Sequence, residues 1–256
     1  ALNHFLHDVY HGQEILKAGV IPAEQVLRRA EMARQCAKNA HLPLVEFEET
    51  LELRSIHRLA LLSDLRKALL HNEFEVYLQP KMNMRTGEVT QAEALIRWKH
   101  PERGLVMPGA FIPLAEQTGF IKNISAWMLT QMYRLAPQFT QSNVRLSVNI
   151  SALDLEDNTL LKWVERKHRS QPQIANNITI EVTESSTMLD PDQACELLQG
   201  FANMGFKIAI DDFGSGYSSL AYLKRFPVTE LKIDRSLVQG IDIDTDARVI
   251  LQSTIE

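Results

Sequence analysis

From residue 74 onward one rhythm repeats along the chain: a short run in which apolar and polar side chains alternate, then a longer stretch in which apolar residues return every three or four positions. The first period is that of a half-buried strand and the second that of an amphipathic helix. Strands are predicted at 74–80, 89–98, 144–150, 178–183, 207–211 and 230–234, and helices at about 109–118, 124–137, 155–169, 190–204, 218–225 and 244–255. Met84-Arg85-Thr86-Gly87 has hairpin character and joins the first two strands. Repeated βα units imply an α/β fold with a mostly parallel sheet under helices; a (β/α) barrel and a doubly wound sheet both fit. Upstream, apolar residues at Ile56, Leu59, Leu62, Leu65 and Leu69 mark a connecting amphipathic helix over 51–70. Val26, Ala30, Ala33 and Ala37 mark another helix, with a short strand at 41–48 after it.

The two faces of the strands differ in chemistry. Ile96, Trp98, Leu146, Val148, Ile178, Ile180, Val182, Ile208, Ile210, Leu231 and Ile233 share one parity. The opposite parity carries Glu93, Arg97, Ser147, Asn149, Thr179, Glu181, Asp211, Lys232 and Asp234, mostly toward the C-terminal ends. Parallel strands bring those ends to one rim, where α/β folds place their sites. Each polar residue alone has an ordinary structural role available. Five strands repeating the pattern is hard to reconcile with such roles, because buried carboxylates are expensive.

Glu93, Asn149, Glu181, Asp211 and Asp212 form an all-oxygen donor set, which selects hard cations such as Mg²⁺ or Mn²⁺, and its size suggests a pair of ions. With Lys232 and Arg97 on the same rim, the set suits a phosphate ester attacked by water that an ion has acidified. Asp212 follows Asp211 directly and so falls on the wrong parity; its carboxylate reaches the rim only if the strand ends there. Gly214 and Gly216 provide a sharp turn after it.

Composition narrows the remaining choices. Of 256 residues, 45% are hydrophobic and 23% charged, with a net charge of −5, which describes a globular chain and argues against a nucleic-acid polymer as partner. Cys36 and Cys195 show no paired spacing, as expected of a reduced, cytoplasmic protein. A membrane-anchoring segment outside this stretch stays open.

The runs Glu93-Ala94-Leu95-Ile96-Arg97-Trp98, LSVNIS at 146–151, IEVTES at 180–185, IDDFGSGYSSL at 210–220 and LKIDRSLV at 231–238 resemble the EAL domain family. The resemblance implies a TIM-like (β/α) barrel that hydrolyses cyclic di-GMP to linear pGpG with Mg²⁺ or Mn²⁺. It further implies metal ligation by Glu93, Asn149, Glu181, Asp211 and Asp212, a catalytic Lys232, substrate contacts from Gln79, Leu95 and Arg97, and support from Asp234. Glu184 would hold the loop after Asp212, and the family often forms homodimers. A non-catalytic cyclic di-GMP receptor, or a regulatory scaffold, is the alternative. Residues 24–48 resemble the last helix and strand of a GGDEF-type domain without its active-site signature. The expected layout is therefore a GGDEF remnant at 1–50, a connecting helix at 51–70 and an EAL domain at 71–256, with a sensor upstream in the full-length protein. The family pattern continues into an EGVE-like motif that these residues do not contain, so the barrel is expected to lack its last strands here and the chain alone to turn over little.

Overall fold

The computed structural model describes residues 11–13, 23–39, 43–46, 60–214 and 223–239. The chain divides into two compact units, Ala1–Lys67 and Ala68–Glu256. In the first, β1 (His11–Gln13) and β2 (Leu44–Glu46) pair in parallel, joined by the helix α1 (Ala23–Asn39). A parallel pair needs a crossover, and α1 suits one: Ala33 and Ala37 are buried, while Leu27 faces out. Residues 60–68 form helix α2, with Leu65 and Ala68 buried; 51–59 of the expected connecting helix lie outside the described residues.

The second unit begins with an antiparallel hairpin of β3 (Phe74–Met82) and β4 (Val89–His100). Its turn closes through Gly87 N–H donating to Asn83 O at 2.8 Å, with Gly87 at φ +74, where a side chain is disfavoured. Pro80 sits in β3, an edge strand among the described residues, where a missing N–H is tolerated. A short β5 (Gly104–Val106) folds back on β4. From β4 the sheet continues in parallel through β6 (Arg145–Asn149), β7 (Ile178–Thr183), β8 (Lys207–Phe213) and β9 (Glu230–Ile233).

Helices α3 (Pro108–Gln117), α4 (Ile121–Phe139), α5 (Thr159–His168), α6 (Glu184–Thr187) and α7 (Pro191–Asn203) follow the strands. α4 buries Ile121, Ile124, Met128, Met132 and Ala136, a stripe at intervals of three and four. Asp190 caps α7 by accepting from Gln193 N–H at 3.1 Å, with Pro191 in the first turn. The helix expected over 155–169 starts only at Thr159. Ser151 and Asp154 cap each other reciprocally around a 3₁₀ turn, Ala152–Leu155, and end that stretch first. The helices expected at 218–225 and 244–255 lie largely or wholly outside the described residues.

The outward parity is the core: Leu146, Val148, Ile178, Ile180, Val182, Ile208 and Ile210 have almost no solvent exposure. Phe74, Trp98, Phe111 and Trp127 extend it, with ring centroids 5.6 to 5.9 Å apart. Burying each large apolar side chain contributes about 1.5–3 kcal/mol. The inward parity, with Ser147, Thr179, Glu181 and Ala209, is equally inaccessible. What covers it is the sheet itself. Gln91 Nε2 on β4 donates to Glu230 Oε2 on β9 at 3.1 Å, and Lys81 Nζ on β3 reaches Glu181 on β7 at 2.5 Å. Lys81 Nζ also lies 3.7 Å from Glu230 Oε1, so side chains of the two outermost strands, β3 and β9, meet in the middle, the curvature of a barrel and not of an open doubly wound sheet. Among the described residues no helix is long and apolar enough to cross a membrane.

Candidate active site

Parallel register sets the depth of every group at the mouth. Glu93 lies beside Ser147, and Asn149 beside Glu181, while Asp211 pairs with Thr183 one step nearer the rim. The carboxylates of Glu93, Glu181 and Asp211 each offer an oxygen within 4.8 Å of the others. Asn149 Nδ2 donates to Glu93 Oε1 at 2.8 Å and steadies it from the side.

Lys232 completes this cluster. Its ammonium donates to Asp211 Oδ2 at 2.6 Å, Glu181 Oε2 at 2.7 Å and Glu93 Oε2 at 3.1 Å, one acceptor for each of its three protons. Burial alone would lower the Lys232 pKa; hydrogen bonds to Asp211 and Glu181 and the charges of Glu181 and Glu93 outweigh it and hold the group protonated, above its ordinary value. Burial likewise works to raise Glu181, but hydrogen bonds from Lys232 and Lys81 prevail and keep it below the usual carboxylate range. Three acidic side chains around one ammonium make a site that favours positive charge.

Asp212 resolves its parity conflict through the backbone. Between Ile210 and Phe213 on β8 the chain advances three residues, whereas the partner β9 advances two, from Leu231 to Ile233. The extra residue is a bulge, and Asp212 within it adopts φ +53, a left-handed conformation that Asp tolerates better than most residues. Asp212 stays exposed and outside the cluster of Glu93, Glu181 and Asp211, within electrostatic reach of Asp211 and Asp234. Partial burial, then the charges of Asp211 and Asp234, push the Asp212 pKa up. The strand therefore does not end at Asp211, as expected from sequence, but continues to Phe213.

The other expected residues flank this centre. Gln79 is exposed on β3, paired in register with Glu93. Leu95 lines a cavity of about 470 Å³ with Pro108, Glu116, Ile121, Asn149 and Ser151. Arg97 lies further toward the rim, its guanidinium 5.6 Å from the Tyr77 ring centroid and donating to Ile96 O at 2.9 Å. Asp234 caps the short helix Arg235–Val238 by accepting from Ser236 N–H at 2.8 Å, and hydrogen bonds from the Ser236 side chain and then its backbone hold its pKa down. Glu184 stands behind the cluster, its Oε2 accepting from Gly214 N–H at 2.7 Å and fixing the residue that leaves the bulge.

Lys81 was not anticipated. A strand read as ending at Pro80 leaves it in a turn, yet β3 runs to Met82 and Lys81 shares the inward parity of Gln79. Extending the alternation by one pair was the signal available.

An inward-facing acidic cluster at the mouth of a curled, mostly parallel sheet defines a protein of the α/β-barrel class with a candidate metal site. The EAL domain family matches over residues 62–256, and the chain belongs to that family. Residues 1–46 match a circularly permuted ATP-grasp family, and the match is confined to them. The bifunctional diguanylate cyclase/cyclic di-GMP phosphodiesterase MucR of Pseudomonas aeruginosa is 39% identical over 82% of this chain and 31% of its own length. The cyclic di-GMP phosphodiesterase PdeR of Escherichia coli is 35% identical over 84% of this chain and 33% of its own. The chain thus spans about a third of the length of these relatives. Among solved structures, a PaMucR phosphodiesterase complex with c-di-GMP is 40% identical, with TM-score 0.69 over 76% of this chain and 80% of that one. The EAL enzyme Bd1971 with cAMP and cyclic di-GMP bound is 27% identical, with TM-score 0.71 over 93% and 64%.

Proposed function

We propose that the EAL domain of this chain is a metal-dependent phosphodiesterase that hydrolyses cyclic di-GMP to linear pGpG. The observation that carries this reading is the triad of Glu93, Glu181 and Asp211 converging on one ammonium, because that position suits a divalent cation equally well. Its donors are all oxygen and anionic, which fits Mg²⁺ or Mn²⁺, and the nearby Asp212 provides for a second ion. Asn149 would complete the first site beside Glu93. When bound, such ions supply positive charge to the phosphodiester and acidify water.

The chain's own groups account for the rest. Arg97 presents a guanidinium at the rim for a non-bridging phosphate oxygen, and Gln79 offers an amide beside it. Leu95 and the cavity next to it give one face of a purine an apolar wall. Lys232, displaced from the carboxylates by the ion, would supply positive charge near the leaving oxygen. Hydrolysis breaks one P–O bond: water contributes its oxygen to phosphorus and a proton to the departing ribose hydroxyl. A pure receptor would not need the acidic set, which favours turnover over mere binding.

Asp234 acts as a support for the Asp212 side of the rim, and Glu184 as the anchor of the following loop, through which the domain would form a homodimer. We place the protein in the cytoplasm, where a guanine dinucleotide messenger is found. We read residues 1–50 as the end of a GGDEF-type domain, in keeping with the bifunctional name of the Pseudomonas aeruginosa relative. Further sensor sequence would precede it. The test is chromatography of cyclic di-GMP incubated with the full-length protein and Mn²⁺ or Mg²⁺. pGpG that disappears with Glu93→Ala supports the proposal, while binding without product in both proteins contradicts it.

A further inference from the structure

Glu181 is the most enclosed member of the acidic cluster, with no solvent exposure, and two ammonium groups divide its oxygens between them. Lys232 takes Oε2 at 2.7 Å. Lys81 takes Oε1 at 2.5 Å from the opposite side of the barrel. In register Lys81 pairs with Gln91, two residues below Glu93 and away from the mouth, so it approaches from beneath the cluster. Its ammonium also lies 3.7 Å from Glu230 Oε1, whose other oxygen accepts from Gln91. One side chain on β3 is thereby tied to β7 and β9, and a position that is only about a quarter exposed holds it there.

Resting on the reading that Glu181 holds a cation, we propose that Lys81 is a positioning residue for that site: it fixes Glu181 Oε1 from below, leaving Oε2 alone to face the ion. The division of the two oxygens gives this a direction. An ion drawing on Glu93, Glu181 and Asp211 takes the place of Lys232, which touches those same three groups. It does not take the place of Lys81, which touches none of the others. Lys81 therefore stays as the counter-charge of a buried carboxylate after Lys232 has moved, and it keeps Glu181 a one-oxygen ligand in a fixed orientation. Groups that orient metal ligands in this way typically contribute ten- to hundredfold to metal affinity.

The sign of the effect separates positioning from simple electrostatics. An ammonium acting only through its charge repels the ion, so removing it would tighten binding. A positioning group does the opposite. Mn²⁺ binding to the full-length protein, followed by calorimetry and by electron paramagnetic resonance of the bound ion, gives a readout independent of turnover. The expected result is that Lys81→Met weakens Mn²⁺ binding about tenfold or more, that Lys81→Arg restores most of the loss, and that Glu181→Gln abolishes binding at the site. Mn²⁺ affinity in Lys81→Met equal to or tighter than wild type overturns the inference. If Lys81→Met does not fold, Lys81→Gln, which keeps a donor for Oε1 but carries no charge, is measured in its place: Mn²⁺ affinity at or below wild type supports positioning by the hydrogen bond, and affinity tighter than wild type overturns the inference. Failure of the cation reading itself looks different: wild type and Glu181→Gln then bind Mn²⁺ alike, whatever Lys81 does.

Discussion

Replacing Lys232 with Met removes the one cation that three carboxylates share, and its consequence reverses with the metal content of the buffer. In chelator, Glu93, Glu181 and Asp211 lose contacts of 3.1, 2.7 and 2.6 Å, and only Glu181 keeps a second ammonium. Removing one partner of a buried ion pair costs about 3–5 kcal/mol. Glu93 and Asp211 retain 16% and 20% exposure, so water offsets part of this and the low end, about 3 kcal/mol, applies. For a domain of this size, about 2–4 °C per kcal/mol translates that into a melting point about 6–12 °C below wild type. A cation at the same position replaces the lost charge, and in the variant it no longer competes with an ammonium. Saturating Mn²⁺ at about 100 times its Kd adds about 2.7 kcal/mol to the species that binds it. Differential scanning fluorimetry in EDTA and in Mn²⁺ is the assay: the variant melts well below wild type in EDTA, and Mn²⁺ closes most of the gap while raising wild type less. A gap that Mn²⁺ leaves unchanged, or no gap in EDTA, would refute the shared position of lysine and ion.

Asp212→Asn retains a residue tolerant of φ +53 and is expected to unfold within about 0.5 kcal/mol of wild type in urea, whereas Asp212→Val in the same bulge loses about 1–2 kcal/mol; both lose turnover. Asp154 is buried and accepts from Ser125 Oγ and Ser151 N–H, and burial pushes its pKa to about 6 despite those bonds. Against an unfolded value of about 3.9, its stabilising contribution is complete below about pH 4 and lost as pH rises through about 6. Denaturant titrations from pH 4 to 7 should therefore show wild type losing about 2–3 kcal/mol more than Asp154→Asn across that window; parallel curves would contradict the burial argument. At Gly214, φ is +92 and a Cβ would fall 2.1 Å from Leu237 Cδ1. Gly214→Ala is expected to cost about 1–3 kcal/mol and to weaken its 2.7 Å bond to Glu184, read as faster hydrogen exchange at residue 214.

Much of this architecture is legible because each strand has only two faces. The parity that carries Glu93, Asn149, Glu181, Asp211 and Lys232 is visible in the letters, and the structure brings those side chains to one point. Alternation says nothing of curvature, so barrel and open sheet stayed equivalent until Gln91 met Glu230 across the interior. Asp212 marks another limit, since a bulge adds a residue without changing composition and only the register on β9 reveals it. Lys81 is obscured in the sequence by Pro80, which reads as a strand end although an edge strand accommodates it. The split of the 155–169 stretch was readable in principle: Ser151 and Asp154 stand at capping-box spacing, a local signal that the helical periodicity beyond it obscured.

The most direct test of the account is product formation by the acidic rim itself. With Mn²⁺ or Mg²⁺, the full-length protein should convert cyclic di-GMP to pGpG. Glu93→Ala and Lys232→Met should each remove that conversion while still retaining nucleotide through Arg97 and the cavity beside Leu95. Intact cyclic di-GMP in the wild-type reaction, or pGpG formed equally by Glu93→Ala, would contradict it.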